Sequence, residues 1–169
     1  EVVHEEVVER RPDGGTFSAE VRRQALRSDG AWIMVVTVRD LSESKAAQAQ
    51  LELMHEAINA APDAIVVIDP HTLEYLDVNE ATAQMYGTTR EQLLARGARG
   101  GIRGDASDAQ MRQFYAGIIA RAPQACTEEV PTRINGHDVV LEFTRRAVNL
   151  NGRWLVVSVN RDITERKAA

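Results

Sequence analysis

The residues best suited to nucleophilic chemistry in this chain are its single cysteine, Cys126, and its four histidines. A thiol nucleophile needs a base within hydrogen-bond reach and a third group that orients that base. His137 lies eleven residues beyond Cys126 across a turn, and no such third group is evident. The cysteine and histidines also lack the spacing of a zinc site. We therefore expect no enzymatic activity and no metal centre.

A glycine- and arginine-rich segment, residues 98–104 (Ala-Arg-Gly-Gly-Ile-Arg-Gly), could serve as a phosphate cradle or an RNA contact. A P-loop also needs Gly-Lys-Ser/Thr and a preceding strand, and this segment has neither. Nucleic-acid binding needs clustered cations, whereas the chain carries a net charge of −5. We therefore predict a flexible loop between two helices and expect no nucleic-acid partner.

The composition is typical of a soluble globular protein, since 44% of the 169 residues are apolar and 27% are charged. No apolar run approaches the ~18–20 residues that a membrane-spanning helix requires. We expect a cytoplasmic location and no membrane contact within this chain.

The most informative feature of the sequence is an internal repeat. Trp32 and Trp154 are separated by 122 positions, and the same offset relates residues 11–47 to residues 133–169 without a gap. Self-similarity at a fixed spacing indicates a tandem array. The predicted division is an incomplete copy at 1–41, a linker helix at 42–61, a complete domain at 62–164 and the start of a further helix at 165–169.

Both copies contain the same three-strand pattern, in which β-branched stretches are separated by turn signals such as Ser-Asp-Gly. The predicted strands are 2–10, 16–26 and 32–38 in the first copy, and 127–134, 139–148 and 154–160 in the second. The complete copy adds strands at 64–69 and 73–78, short helices after Asn79 and at 89–94, and a longer helix at 109–120. Three strands alone leave a sheet uncovered. We therefore expect another chain or the linker helix to cover the first sheet, or its strands to be poorly ordered.

In the linker region, residues 42–61, the spacing of the apolar residues changes to that of a helix. Asp40 and Glu43 have the spacing of a capping box, and Pro62 ends the pattern. Its apolar residues fall at alternating steps of four and three, the seam pattern of paired helices: Ala47, Leu51, Met54, Ile58 and Ala61. The helix packs either on its own domain or along a parallel seam between two copies of the chain. We favour the seam, because the helix also joins the two repeats.

Short motifs accompany this order of elements. They are Ala-Pro-Asp-Ala-Ile at 61–65, Val-Asn-Glu-Ala at 78–81, Tyr-Gly-Thr-Thr-Arg-Glu-Gln-Leu at 86–93, Asn-Gly at 135–136 and Asp-Ile-Thr at 162–164. Together, and in this order, they resemble the PAS domain. The resemblance implies an α+β fold, with a five-stranded antiparallel sheet that carries short helices on one face. A linker helix and the three-strand meander of a truncated PAS domain would precede it.

By resemblance, the chain is a sensory or regulatory module of a signal-transduction protein, of the histidine kinase (two-component) or cyclic-di-nucleotide enzyme type. Such a module senses a small ligand, dimerises, or does both, and passes a signal to a C-terminal effector domain. A homodimer and that effector are the expected partners. The alternative is a ligand-free module for dimerisation or protein interaction.

The resemblance also implies a ligand pocket. In the family the residue two before the box aspartate points inward, which here is Asn160. Side chains two apart on a strand share a face, so Ser158 joins it. The predicted pocket residues are Val66, Ile68, Met85, Leu141, Phe143, Arg145, Ser158 and Asn160. A filled core, with polar side chains satisfied by water, is the alternative.

The opposite face of the last strand is apolar and requires a cover. The predicted helix and dimer contacts are Leu51, Met54, Ile58, Leu155, Val157 and Val159. The signal output is predicted at the box that ends the strand, at Asp162, Ile163, Thr164 and Glu165.

Two cofactors found in this family are disfavoured. Flavin-binding light sensors carry their reactive cysteine in an Asn-Cys-Arg motif on a helix, and residues 95–120 contain no cysteine. Haem-binding members often ligate iron through a histidine on the long helix, and residues 109–120 contain no histidine. We therefore expect neither covalent flavin nor haem, and the ligand stays unidentified.

Overall fold

A computed structural model describes residues 2–169, and the chain divides into two compact units, Glu1–His55 and Glu56–Ala169. The elements of the first part of the chain are β1 (Val2–Arg10), β2 (Thr16–Ser28), β3 (Ala31–Asp40) and α1 (Ser42–Asn59). Those that follow are β4 (Ala64–Ile68), β5 (Tyr75–Val78), α2 (Glu80–Tyr86), α3 (Arg90–Arg96), a 3-10 helix (Gly97–Gly100), α4 (Asp108–Ala120), β6 (Cys126–Ile134), β7 (His137–Leu150), β8 (Arg153–Asp162) and α5 (Thr164–Ala168).

The five strands of the second unit form one sheet in the order β5-β4-β8-β7-β6, and every neighbouring pair is antiparallel. The last strand in the chain, β8, therefore lies at the centre of the sheet. The predicted α+β fold with a five-stranded antiparallel sheet is confirmed.

The core of this unit forms where the helices pack on the inner face of the sheet. Met111, Tyr115 and Ile118 lie three and four residues apart along α4, so they share one face of the helix. They join one buried cluster with sheet residues such as Val66 and Val156. Burial of this apolar surface is the main favourable term in folding.

Polar side chains define where the helices begin. Asn79 caps α2 and accepts a hydrogen bond from the backbone of the third helical residue. Helices α3 and α4 each begin with a capping box, formed by Thr89 and Gln92 at α3 and by Ser107 and Gln110 at α4. The helix predicted to start after Asn79 is therefore present where the sequence indicated it.

The glycine-rich segment after α3 is more ordered than the predicted flexible loop. It begins with the 3-10 helix, in which the Ala98 backbone N–H donates to the Leu73 carbonyl at 2.9 Å. Its Arg99 binds the carboxylate of Asp108 at the start of α4 through two nitrogens, at 2.7 and 2.8 Å. The prediction relied on glycine content and missed these tertiary contacts.

The first unit contains a three-stranded sheet in the order β1-β2-β3. Its buried apolar residues, within residues 2–55, are Ala19 and Val21 of β2. All ten residues of β3 are exposed, including Trp32 at 72%, and α1 has no buried residue. Within the described chain the linker helix therefore does not cover β3.

The repeat is visible in backbone geometry as well as in sequence. The Ile163 N–H donates to the Val140 carbonyl at 2.9 Å, and the Leu41 N–H donates to the Ser18 carbonyl at 2.8 Å. Both residues of the second pair precede those of the first by 122 positions. The two copies thus end their last strand in the same way.

The capping box predicted at Asp40 and Glu43 is not formed. Helix α1 begins at Ser42, and the Asp40 carboxylate accepts from the Ser42 N–H at 2.8 Å, two residues on. A Ser/Thr/Asp side chain often bonds to the backbone two residues ahead in this way. The aspartate therefore forms a turn before the helix.

Candidate functional site

A small cavity lies between the inner face of the sheet and the helices of the second unit. Its volume is about 40 Å³, which at ~10–15 Å³ per water-sized group is room for about three such groups. The lining residues are Val66, Ile68, Tyr75, Tyr86, Ala98, Gly101, Ile102, Arg103, Phe114, Tyr115, Phe143, Arg145, Ser158 and Asn160. We refer to this space as the core cavity.

Six of the eight predicted pocket residues line the core cavity: Val66, Ile68, Phe143, Arg145, Ser158 and Asn160. They converge because Asn160 pairs with Phe143 and Ser158 with Arg145 across β7 and β8. Directly paired residues on adjacent strands point to the same face.

The other two predicted pocket residues do not line the cavity. Leu141 is on the same face of β7 and fully buried, but it lies opposite Asp162, beyond the cavity. Met85 is half-buried on α2, and the next residue, Tyr86, lines the cavity instead. Successive helical residues point about 100° apart, so the two side chains diverge.

Asn160 presents an amide to the cavity. The Ser158 hydroxyl donates to its carbonyl oxygen at 2.6 Å, and both side chains are 3% exposed. The other end of the amide has no partner within residues 2–169. Whichever end of the amide bonds to Ser158, the other end can hydrogen-bond with a ligand.

Three tyrosines that the sequence did not indicate as pocket residues also line the cavity: Tyr75, Tyr86 and Tyr115. Burial raises the pKa of each phenol, and Tyr75 is raised further by the proximity of the other two. Their hydroxyls therefore stay neutral. Within residues 2–169 these hydroxyls face the cavity and make no hydrogen bond to another side chain. Each remains able to donate and to accept a hydrogen bond.

A charged cluster closes one side of the cavity. The Arg145 guanidinium contacts the Glu128 carboxylate at 2.5 Å, and Arg103 binds the same carboxylate at 2.9 and 3.0 Å. Arg103 lies 4.0 Å from the centre of the Phe114 ring, and Arg145 lies 4.4 Å from that of Phe143. Desolvation alone would raise the pKa of Glu128, but the bonds from the two arginines hold it below its usual value.

A second, larger cleft of about 300 Å³ lies between α4 and β6. It shares Phe114 and Arg145 with the core cavity, so these two side chains separate the spaces. Cys126 lines the cleft, with its sulfur 3.8 Å from a nitrogen of Arg121. The cleft gives a route from solvent to Arg145.

Cys126 and His137 lie at opposite ends of the hairpin formed by β6 and β7. Cys126 pairs with Arg145, whereas His137 pairs with Ile134 at the turn. At ~3.3 Å per residue along a strand, their backbones are separated by roughly 25 Å. The two residues therefore cannot act as a nucleophile and its base.

Residues 2–169 contain no group of three or more His, Cys, Asp or Glu side chains arranged to hold a metal ion. None of the helices formed by these residues combines the length and the apolar character needed to cross a membrane.

The outer face of β8 is opposite the core cavity. Leu155, Val157 and Val159 are half-buried there, in alternation with the buried inner residues. On α1 the predicted seam residues point to solvent: Leu51 is 63%, Met54 54% and Ile58 45% exposed.

The end of β8 is fixed to β7 by the predicted output box. Asp162 accepts from the Thr164 N–H at 2.9 Å and from its hydroxyl at 2.5 Å. The Thr164 oxygen in turn accepts from the Val140 N–H at 2.9 Å. Ile163 between them is 2% exposed, and Glu165 is on the exposed side of α5.

Comparisons with known proteins support one family. A sequence model of the PAS domain matches residues 1–43 and 62–165. Among curated proteins, the methyl sulfide methyltransferase-associated sensor of Methanosarcina acetivorans is 26% identical over 139 residues. The match covers 82% of this chain and 13% of that sensor, so the chain spans a small part of that relative's length.

Solved structures share the fold. The PAS domain of an HTR-like protein from Haloarcula marismortui gives a TM-score of 0.59 at 18% identity, over 72% of this chain and 98% of that one. A PAS domain from a two-component sensor histidine kinase gives 0.54 at 19% identity, over 69% and 98% respectively. Identities this low support likeness of fold alone.

Proposed function

The chain belongs to the PAS domain family, and on that premise we propose that it passes the state of its core cavity to an effector through β8 and α5. It is a sensory module of a signal-transduction protein of the histidine kinase or cyclic-di-nucleotide enzyme type, and it is not an enzyme. Its similarity to a protein named as a sensor supports this class.

The observation that carries the proposal is the double role of β8. Its inner face contributes Ser158 and Asn160 to the core cavity, and Asp162 follows two residues later at the start of the output box. A ligand that favours one position of this strand shifts the start of α5 as well. Coupling of this kind requires two states with different ligand affinity.

Replacing Asp162 with alanine is expected to abolish regulation while the domain stays folded. The substitution removes both bonds to Thr164 in the turn that precedes α5, at a cost of about 1 kcal/mol. In the protein that carries this chain and its effector, we expect at least a tenfold smaller difference between stimulated and unstimulated effector activity. Circular dichroism of the variant chain checks folding.

Asp138→Ala is the matched control for this experiment. Asp138 is at the start of β7 with a side chain 93% exposed, and its contact with Arg133 is 3.9 Å long. Regulation should be unchanged in this variant. Unchanged regulation in Asp162→Ala would show that the output box does not couple the sheet to the effector.

The proposal includes a parallel homodimer that uses the seam of α1 and the outer face of β8. Its support is the exposure of apolar seam residues, since contiguous exposed apolar surface on a soluble protein marks an interaction site. Leu51→Glu should raise the dimer dissociation constant at least tenfold in sedimentation experiments, because it places a charge in the seam.

Leu53→Glu provides the matched control for the dimer. Leu53 is also exposed, at 71%, but successive helical residues lie about 100° apart, so its side chain points away from the seam formed by Leu51 and Met54. Its sedimentation should match that of the unmodified chain. If Leu51→Glu sediments in the same way as this control, the seam is not the dimer contact.

A ligand-free module for dimerisation or protein interaction is the second candidate. The small volume of the core cavity, about 40 Å³, favours it, because sites for drug-sized ligands occupy roughly 300–1,000 Å³. The two functions differ in one measurable respect, which is whether a small molecule raises the melting temperature of the chain.

A further inference from the structure

The core cavity already contains one half of a recognition site for a carboxylate. We propose that it binds a short-chain carboxylate of two to four carbons, whose carboxylate group takes the place of Glu128 on Arg145. This inference rests on the proposed sensory function and adds the chemical class of the ligand. It follows from the charges, the unpaired polar groups and the volume of the cavity.

Arg145 is prepared to bind a planar anion. Its side chain is 9% exposed, and its guanidinium lies over the Phe143 ring and 5.2 Å from the centre of the Phe114 ring. This packing fixes the plane of the guanidinium before a ligand arrives. It binds Glu128 through one nitrogen, and its other N–H groups have no acceptor within residues 2–169. A guanidinium with free N–H groups matches the geometry of a carboxylate.

Glu128 can leave Arg145 without becoming an unpaired charge. Its side chain is 32% exposed, and Arg103 holds both of its carboxylate oxygens independently of Arg145. After an exchange, Arg145 pairs with the ligand and Arg103 keeps Glu128, so the buried Arg145 and the half-buried Glu128 both stay compensated. A neutral ligand that displaced Glu128 would leave Arg145 uncompensated, and a cation would be repelled. The charge balance therefore selects an anion.

The remainder of the cavity suits a short carbon chain. Val66 and Ile68 provide apolar wall, while the tyrosine hydroxyls and the free end of the Asn160 amide supply hydrogen-bonding groups around it. With a volume of about 40 Å³, the cavity accepts about three non-hydrogen groups besides a carboxylate at its edge. Acetate, propionate and butyrate fall within this range. The cleft between α4 and β6 reaches Arg145 from the solvent side, so the carboxylate group of a ligand has a route to the guanidinium.

The test is a calorimetric titration of the 169-residue chain with acetate, propionate and butyrate at constant ionic strength. Propionamide is the matched uncharged ligand, because it has the same shape as propionate. We expect propionate to bind at least tenfold more tightly than propionamide. Equal binding of the two, or no heat from any of the three acids, would overturn the proposal.

Two variants test the exchange at Arg145. Glu128→Gln keeps the size of the side chain and removes the competing charge, so its affinity for propionate should rise about tenfold while that for propionamide should not. Asp138→Asn, at the far end of the hairpin and with a side chain 93% exposed, should leave both affinities unchanged. Arg145→Met should lose propionate binding. An unchanged affinity in Glu128→Gln would refute the exchange, even if Arg145→Met fails to fold.

These outcomes are separable from those of the proposed function. A chain that ignores carboxylates but is stabilised by another small molecule refutes this inference and leaves the sensory role intact. Unchanged regulation in Asp162→Ala, with propionate still bound, refutes the output path and leaves the carboxylate site intact.

Discussion

Replacing Asn79 with alanine is expected to lower the free energy of unfolding of the second unit by about 3–4 kcal/mol. Asn79 is 2% exposed, and its amide nitrogen donates to the carbonyls of Ile58 and Asp63, at 3.0 Å each. Its amide oxygen accepts from the backbone of Ile65 at 2.8 Å and of Thr82 at 3.1 Å. One side chain therefore joins the end of α1, the start of β4 and the start of α2.

The size of the effect follows from the groups left without partners. Alanine removes the helix cap, which costs about 1 kcal/mol. It also leaves the Ile65 N–H and the Asp63 carbonyl without the bonds that Asn79 makes, at about 1–3 kcal/mol for each buried group. The penalties are not fully additive, because the surrounding chain can relax.

Urea unfolding followed by the fluorescence of Trp154 measures this change. All chains in this experiment also carry Trp32→Phe, which removes the tryptophan fluorescence of the first unit, where Trp32 is 72% exposed. The matched control is Asn149→Ala, since Asn149 is exposed and accepts one bond, from the Gly152 N–H at 2.9 Å. We expect a loss of less than about 1 kcal/mol for the control. Similar losses in both variants would contradict the assigned role of Asn79.

The period of a β-strand explains why much of the cavity could be predicted from sequence. Once Asn160 is taken as inward-pointing, the two-residue repeat assigns Ser158 to the same face. Pairing across β7 and β8 then brings Phe143 and Arg145 beside them. The period specifies a face but not a position along it, which is why Leu141 is inward and still lies outside the cavity lining.

The parts of the site that could not be predicted depend on how the helices sit over the sheet. Tyr115 falls within the helix predicted at 109–120, but its proximity to Tyr75 depends on packing between distant segments. The pairing of Arg103 with Glu128 likewise joins residues 25 positions apart on a loop and a strand. A helix was predicted to begin after Asn79, whereas the bonds from Asn79 to Ile58 and Asp63 depend on the tertiary fold.

Replacing Gly97 with alanine is expected to destabilise the second unit by about 3–5 kcal/mol. Gly97 ends α3 with φ of 60° and ψ of −158°, a region that is essentially restricted to glycine and costs other residues about 1–3 kcal/mol. An added Cβ would also lie 2.7 Å from the Leu73 carbonyl oxygen. That oxygen accepts from the Ala98 N–H, so neither backbone can move aside without losing this bond.

Gly117→Ala is the matched control, and it should raise the free energy of unfolding where Gly97→Ala lowers it. Gly117 is an exposed residue within α4, and an added Cβ would meet no atom within 4 Å. Alanine there should stabilise the unit by about 0.5–1 kcal/mol, because it reduces the backbone freedom of the unfolded chain. Urea unfolding of both variants, with an unchanged denaturant slope, checks the pair. Because Ala98 lines the core cavity, Gly97→Ala should also weaken ligand binding in that cavity. Equal stability of Gly97→Ala and Gly117→Ala would mean that the 3-10 helix does not fix the cavity wall.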